Sequence, residues 1–434
     1  MNNKYWSEEI ETMPRKQLEQ IQAERLRKTV EIAMGSEFYA PILKQRGITP
    51  ESIKSVNDIN RFPFTTKNDL RSTYPFGMAS VPLSKVVRLH SSSGTTGNPT
   101  VILHTQRDID QWADAMARSM YATGLRNTDI IQNTSGYGMF TGGLGIQYAS
   151  ERLGALTVPA GAGNSKRHVK FIMDFGTTAL HCIPSYATRL AAVFEEMGIN
   201  PATGTTVKTL IIGAEPHSEA QRKRIEDIWG AKAYNNFGMS EMCGPGVAIE
   251  CQEQNGMHIW EDNYIVEIID PVTLEPVPEG ELGELVLTTL NREAMPLFRY
   301  RTRDLTRILT GDCPCGRTHK RLARFQGRSD DMMIVKGVNI FPIQIEKILM
   351  EFPELASDYL ITIETIEDND EMTVDVELAQ ATDDFSLLQN LTKEITRRLK
   401  DEILLTPKVH LVGKGIIPQS EGKAVRVKDL RQNH

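Results

Sequence analysis

The sequence predicts an α/β chain: a large layered α/β domain carrying a β-rich subdomain, followed by a small α+β domain. Three observations lead there. From about Val86, short β-rich runs alternate with helix-period segments, the pattern of largely parallel strands covered by helices. After Glu261, strand-like runs succeed one another without intervening helices. Beyond Gly327, a unit of about 105 residues mixes helices and strands and is long enough to own a core.

The elements follow in order. Residues 7–34 place Leu18, Ile21, Leu26, Val30 and Ala33 at helical spacing. Pro63, Pro75 and Pro82 then punctuate a loop-rich stretch. VVRLH (86–90) is a strand running into a glycine-rich loop, and QRDIDQWADAMARSMYATG (106–124) is a helix closed by Gly124. KTLIIG (208–213) is a buried strand followed by the helix SEAQRKRIEDIWG (218–230). YIVEIID (264–270) and GELVLTTL (283–290) flank a Pro/Gly-rich turn and make an antiparallel or barrel-like piece. The last unit reads helix (PIQIEKILMEF), strand (YLITIET), strand (EMTVDVELA), helix (SLLQNLTKEITRRLKDEI) and strand (PKVHLVG). The domains expected are 1–327 and 328–434.

Composition narrows the function. The 434 residues carry 49 Lys+Arg against 56 Asp+Glu, a net charge of −7. That balance argues against nucleic-acid binding, which needs a basic surface. No apolar run approaches the roughly 20 residues that span a bilayer, and MNNKYWSEEIETMPRKQ lacks the apolar core of a signal peptide. The expected location is cytoplasmic. Five cysteines, an odd number spread thinly, do not make a disulfide framework.

HSSSGTTGNPT (90–100) follows a strand and offers hydroxyls and backbone N–H groups able to wrap phosphate oxygens. A flexible surface loop is the alternative. No Walker A loop, G-x-S-x-G or H-E-x-x-H occurs. Downstream come GAEP (213–216), NNFGMSE (235–241), FRYRTRD (298–304), GRSDDMMIVKG (327–337) and SEGKAVRV (420–427). In that order, these stretches resemble the adenylate-forming acyl-CoA synthetase superfamily, and within it the phenylacetate–coenzyme A ligases. FPFTTKNDLRSTYPFG (62–77) and GMHIWEDNY (256–264) share the resemblance.

The resemblance implies a two-step reaction, with 1–327 binding ATP and the acid and 328–434 acting as a mobile lid. ATP and a carboxylate give an acyl-adenylate and pyrophosphate; the thiol of coenzyme A then displaces AMP. It implies that Ser92, Ser93, Gly94, Thr95, Thr96 and Gly97 hold the β- and γ-phosphates, with Asn98 where relatives often have Lys. Gly213, Ala214, Glu215 and Pro216 lie against adenine. Asn236, Phe237, Gly238, Met239, Ser240 and Glu241 form the aromatic-Gly-x-Thr-Glu motif, with Ser240 facing the α-phosphate and Glu241 suited to Mg²⁺, an ion that prefers oxygen. Asp304 accepts from the ribose hydroxyls, Arg328 is a second ribose or phosphate contact, and Asp330 is the hinge. Lys423 bridges the acid and the α-phosphate during adenylation. Lys336 and Gly337 belong to the face used for thioester formation.

Two further sets come from the residues themselves. Tyr137, Phe140, Thr141, Gly142 and Gly143 could receive an aryl ring, core packing being the alternative. Cys251, His258, Cys313 and Cys315 offer three thiolates and an imidazole, a complete tetrahedral set for structural Zn²⁺, with His319 and Cys243 as substitutes. Buried unliganded cysteines are the alternative. The expected function is therefore an ATP-dependent ligase acting on phenylacetate or a similar aryl acid. The alternatives are transfer to an acceptor other than coenzyme A, or a non-catalytic nucleotide-binding relative. The expected partners are a small carboxylic acid, ATP and coenzyme A, with no nucleic acid, no membrane, and a homodimer as an open question.

Overall fold

The computed structural model of the chain describes residues 3–91, 99–367, 369–418 and 425–431. Its centre is a sheet with nine strands among the described residues. Leu156–Val158, Ile130–Asn133, Ala179–Cys182, Thr209–Gly213 and Lys232–Met239 run parallel, as the alternation of strands and helices predicts. The sheet then reverses sense. Gly244–Glu250, Met257–Ile259, Arg321–Leu322 and Ile308–Leu309 extend it antiparallel, which the sequence reading does not foresee.

The covering helices start and stop where their caps dictate. In Gln106–Ala122, the Thr105 side chain accepts from Asp108 N–H, while Gly124 beyond the end adopts φ 101°. Its inner face buries Ile109, Trp112, Met116 and Met120. Glu219–Trp229 is capped by Ser218 and ends on Gly230 in the left-handed region. The helical stretch at 7–34 is two helices, Glu8–Glu11 and Arg15–Ala33. Pro14 divides them, since it lacks the N–H a continuous helix needs there.

The β-rich subdomain is a three-stranded antiparallel sheet of Tyr264–Ile269, Gly283–Thr289 and Tyr300–Thr306. Helix Arg15–Ala33 packs Leu26 and Val30 into the same core as Leu287 and Phe298, all fully buried. Burial of such side chains contributes about 1.5–3 kcal/mol each. Polar ties fix this helix and the segment before it. Arg15 grips Glu261 with both guanidinium nitrogens at 2.7 Å, and Thr29 Oγ1 donates to Leu290 O at 2.8 Å. Arg317 pairs with buried Glu11 at 2.6 Å, and Tyr5 donates to Cys315 O at 3.0 Å.

The last unit has its own core, built from Ile345, Leu349, Tyr359, Ile361, Ile395 and Leu399 among others. Its sheet orders Lys408–Val412, Asn369–Leu378, Leu355–Ile366 and Val427–Asp429. Helices Pro342–Leu349 and Phe385–Ile403 cover it; the latter buries Leu391, Ile395, Leu399 and Ile403, one face of a 3.6-residue period. A hairpin, Met333–Val335 with Val338–Ile340, connects this unit to the rest. Polar contacts join the two bodies. Ser218 N–H donates to Glu346 Oε1 at 2.9 Å, and Arg224 donates to the Leu355 carbonyl. No helix among the described residues is long and apolar enough to cross a membrane.

Candidate active site

Beyond the carboxyl ends of the parallel strands lies a cavity of about 1680 Å³, where α/β sheets commonly bind ligands. Its far wall is the small domain, through Ile417, Pro418, Val425 and Arg426. Ser92–Gly97, Asn98 and Lys423 lie outside the described residues. What flanks them is described. Strands Arg88–Ser91 and Val101–His104 pair antiparallel on either side of the first stretch, with Ser91 opposite Val101.

Gly213 ends its strand against the next: a Cβ there would stand 2.1 Å from Asn236 O, so only glycine allows the approach. Ala214 follows at φ 66°, and both border the cavity. Glu215 turns aside, accepting from Ser185 N–H at 3.1 Å and Ser185 Oγ at 2.9 Å, and Pro216 is exposed without bordering the cavity. Asn236 Oδ1 accepts from Gly246 N–H at 3.2 Å. Gly238 is another enforced glycine, with a Cβ position 2.0 Å from Gly244 O. Phe237 points away from the cavity and packs on Phe325 at 4.6 Å.

Met239, Ser240 and Glu241 border the cavity, and Ser240 Oγ lies 3.4 Å from Thr141 Oγ1. Glu241 is nearly buried, and one carboxylate oxygen accepts from Tyr300 OH at 3.3 Å. Burial and that carboxylate hold the Tyr300 phenol well above its ordinary value, so it stays a donor. An oxygen-only carboxylate facing a polar cavity suits a hard divalent ion.

Asp304 and Arg328 bridge across the backbone, and Arg328 Nη1 donates to Asp304 Oδ1 at 3.2 Å. Arg328 also grips Asp330 with Nε at 2.8 Å and Nη2 at 2.9 Å. The predicted ribose pair is thus brought together with the predicted hinge, with Arg328 tied to both carboxylates. Lys336 (φ 51°) and Gly337 (φ 78°) form the exposed tip of the 333–340 hairpin and do not border the cavity.

In the predicted acid stretch, Phe140, Thr141 and Gly142 border the cavity. Tyr137 and Gly143 stand behind them, held by one residue. Asn133 Nδ2 donates to Tyr137 OH at 3.2 Å and to Gly143 O at 2.8 Å. Sequence reasoning missed Ser135 and His181, which also border the cavity, and the basic groups Lys67, Arg301, Arg303 and Arg426. The signal for the arginines was the period-two FRYRTRD strand, which sends Arg301 and Arg303 to one side.

Well away from the cavity, the buried atoms of Cys251, His258, Cys313 and Cys315 all fall within 4.8 Å of one another. Cys251 Sγ and Cys313 Sγ are 3.7 Å apart, and Cys315 Sγ lies 3.3 Å from His258 Nε2. A tetrahedron with Zn–S near 2.3 Å has S···S edges of about 3.8 Å, so the donor set fits zinc. His258 Nδ1 bonds the His319 carbonyl at 3.2 Å, leaving Nε2 as the ligand atom. The substitutes are elsewhere: His319 bridges Glu261 N–H and Ile10 O, and Cys243 lies beside His104.

The chain matches the AMP-binding enzyme family over residues 43–291 and the AMP-binding enzyme C-terminal domain over 337–431. It is 42% identical to a phenylacetate-coenzyme A ligase of Thermus thermophilus, over 98% of this chain and 99% of that protein. It is also 42% identical to a phenylacetate-coenzyme A ligase of Escherichia coli, over 97% of each. A 2-hydroxyisobutyryl-CoA ligase solved in its postadenylation state superposes with TM-score 0.91 at 30% identity, covering 98% of this chain and 92% of that one. The same ligase in its thioesterification state, with coenzyme A, gives 0.73 at 31% identity, covering 99% and 93%. The two domains here therefore sit as in the former state.

Proposed function

The chain belongs to the phenylacetate–coenzyme A ligase family of AMP-binding enzymes and is an AMP-forming ligase, and from that premise we propose that it converts phenylacetate or a close aryl analogue to its coenzyme A thioester. The carboxylate attacks the α-phosphorus of ATP and pyrophosphate leaves; the thiol of coenzyme A then attacks the acyl carbonyl and AMP leaves. A carboxylate is a poor acyl donor until its oxide becomes a good leaving group, so the site must hold two anions together while charge builds at the α-phosphate.

One observation carries this reading. Ser240, Glu241 and the adenine-side Gly213–Ala214 share one cavity with residues on both flanks of Lys423, in the domain arrangement of a ligase holding an acyl-adenylate. Ser240 donates to the α-phosphate, Asp304 accepts from the ribose, and Lys423 meets the developing oxyanion charge. Glu241 would hold Mg²⁺, which neutralises phosphate charge. Residues 92–97 cover the β- and γ-phosphates. Residues 1–327 form the body binding ATP and acid, and 328–434 the small domain that turns about Asp330 to bring Lys336 and Gly337 to the thioester step. Cys251, His258, Cys313 and Cys315 would hold a zinc in a structural role, all four donors coming from the protein. With its small-molecule substrates, the protein works in the cytoplasm.

The test is a panel of carboxylic acids assayed for pyrophosphate and thioester. An aryl acid with a short spacer should show the highest kcat/KM; acetate or a long-chain fatty acid in first place refutes the reading.

A further inference from the structure

His181 stands at the end of strand Ala179–Cys182, between the strand of Asn133 and the one ending in Gly213. A histidine there reads from sequence as core. Its ring, however, borders the cavity, and its only hydrogen bonds among the described residues are at Nδ1. Those partners are Asn133 Oδ1 and Ser135 Oγ, each at 3.2 Å, and Asn133 is the residue that holds Tyr137 and Gly143 of the acid stretch.

The proton on this ring can be located by elimination. Asn133 donates its amide N–H₂ to the Gly143 carbonyl at 2.8 Å, which cannot donate in return. Its Oδ1 therefore faces His181, and it also accepts Ser135 N–H at 3.1 Å. An acceptor at that point puts the hydrogen on Nδ1. Burial lowers the imidazole to about 4, so the ring is neutral near pH 7. Nε2 is then a lone pair at the cavity wall, with no donor to it among the described residues.

We propose that His181 is a specificity-determining residue of the acid site, its Nε2 accepting a hydrogen bond from a hydroxyl on the substrate's ring. The preferred acid is thus a hydroxylated arylacetate, and not the bare hydrocarbon ring. This rests on the cavity's reading as an aryl-acid site. An unfilled buried acceptor costs the bare ring on the order of tenfold in kcat/KM.

The wild-type enzyme decides it first, with 3-hydroxyphenylacetate, 4-hydroxyphenylacetate and phenylacetate compared in one assay. At least one hydroxylated acid should exceed phenylacetate by about tenfold. His181→Leu should bring that ratio near one, and His181→Gln, which keeps an acceptor oxygen, should restore part of it. Equal or better use of phenylacetate by wild type overturns the proposal even if His181→Leu fails to fold. A rise in KM for ATP in His181→Leu with an unchanged acid ratio overturns it too, placing the ring against adenine. If no aryl acid is turned over at all, the proposed function itself falls.

Discussion

The contact between Glu346 and Ser218 should act as a differential brake on one half-reaction. Glu346 is on the small domain, buried, and receives two donors. One, Tyr359 OH at 3.2 Å, belongs to the same domain; the other, Ser218 N–H at 2.9 Å, belongs to the large domain and would be lost in the rotation proposed above. Only the second bond distinguishes the arrangements. A hydrogen bond to a charged group is worth about 1.5–3 kcal/mol, or roughly ten- to a hundredfold in the ratio of the two states. Glu346→Ala should therefore slow adenylation by up to that factor. Thioester formation from synthetic acyl-adenylate and coenzyme A should be kept or quickened. Glu346→Gln, retaining an acceptor oxygen, should lie near wild type. Stopped-flow or quench assays of each half-reaction measure this directly, with a folded variant confirmed by circular dichroism. Equal losses in both steps, or none in either, refute the reasoning.

Other expectations follow from the same geometry. Lys423→Ala should lose adenylation by on the order of 10²–10³ while still making thioester from supplied adenylate; equal loss of both steps contradicts the two-face account. Gly337→Val should do the reverse. Its Cβ would meet nothing within 4 Å here, so this arrangement bears only the strain of φ 78°, about 1 kcal/mol, and adenylation should persist. Elemental analysis should find one zinc per chain, absent in Cys315→Ser, whose thermal midpoint should also fall; zinc-free replete protein refutes the site. Burial would raise the Asp262 carboxyl, but Arg118 at 2.8 Å overrides it and holds the group well below its ordinary value. The resulting stability is present above about pH 4 and is lost as pH falls below it. Arg118→Met should cost about 3 kcal/mol at neutral pH, read by denaturant melts, and flatten the acid limb of the stability profile.

Local order in this molecule is readable from local chemistry. Thr105 and Gly124, or Ser218 and Gly230, delimit helices because caps act within a turn. The Cys/His set was legible because few residue types bind zinc, even across the 62 positions between Cys251 and Cys313. The antiparallel half of the large sheet was not, since Gly244–Glu250 is buried throughout and carries no alternation to reveal its direction. Phe237 matched a motif, yet its ring serves the core, because a motif fixes the backbone path and not where each side chain is spent. His181 and Glu346 were invisible for another reason: their partners are chosen by strand order and domain contact, which no local spacing encodes.

The ties around the segment before and within helix Arg15–Ala33 have a consequence in time. Glu11 meets Arg317 across 306 positions, Tyr5 meets Cys315 across 310, and Arg15 meets Glu261 across 246. Ribosomes add about 5–20 residues per second, so these side chains leave the tunnel about 15–60 s before their furthest partners exist. During that interval Leu26 and Val30 can meet near neighbours such as Ile53 and Ile59, but not Leu287 and Phe298, which complete their cover. Full docking of the segment is thus a late event that reports completion of the β-rich subdomain. Ribosome-stalled chains ending before and after residue 317 should differ sharply in proteolytic cleavage within 5–33.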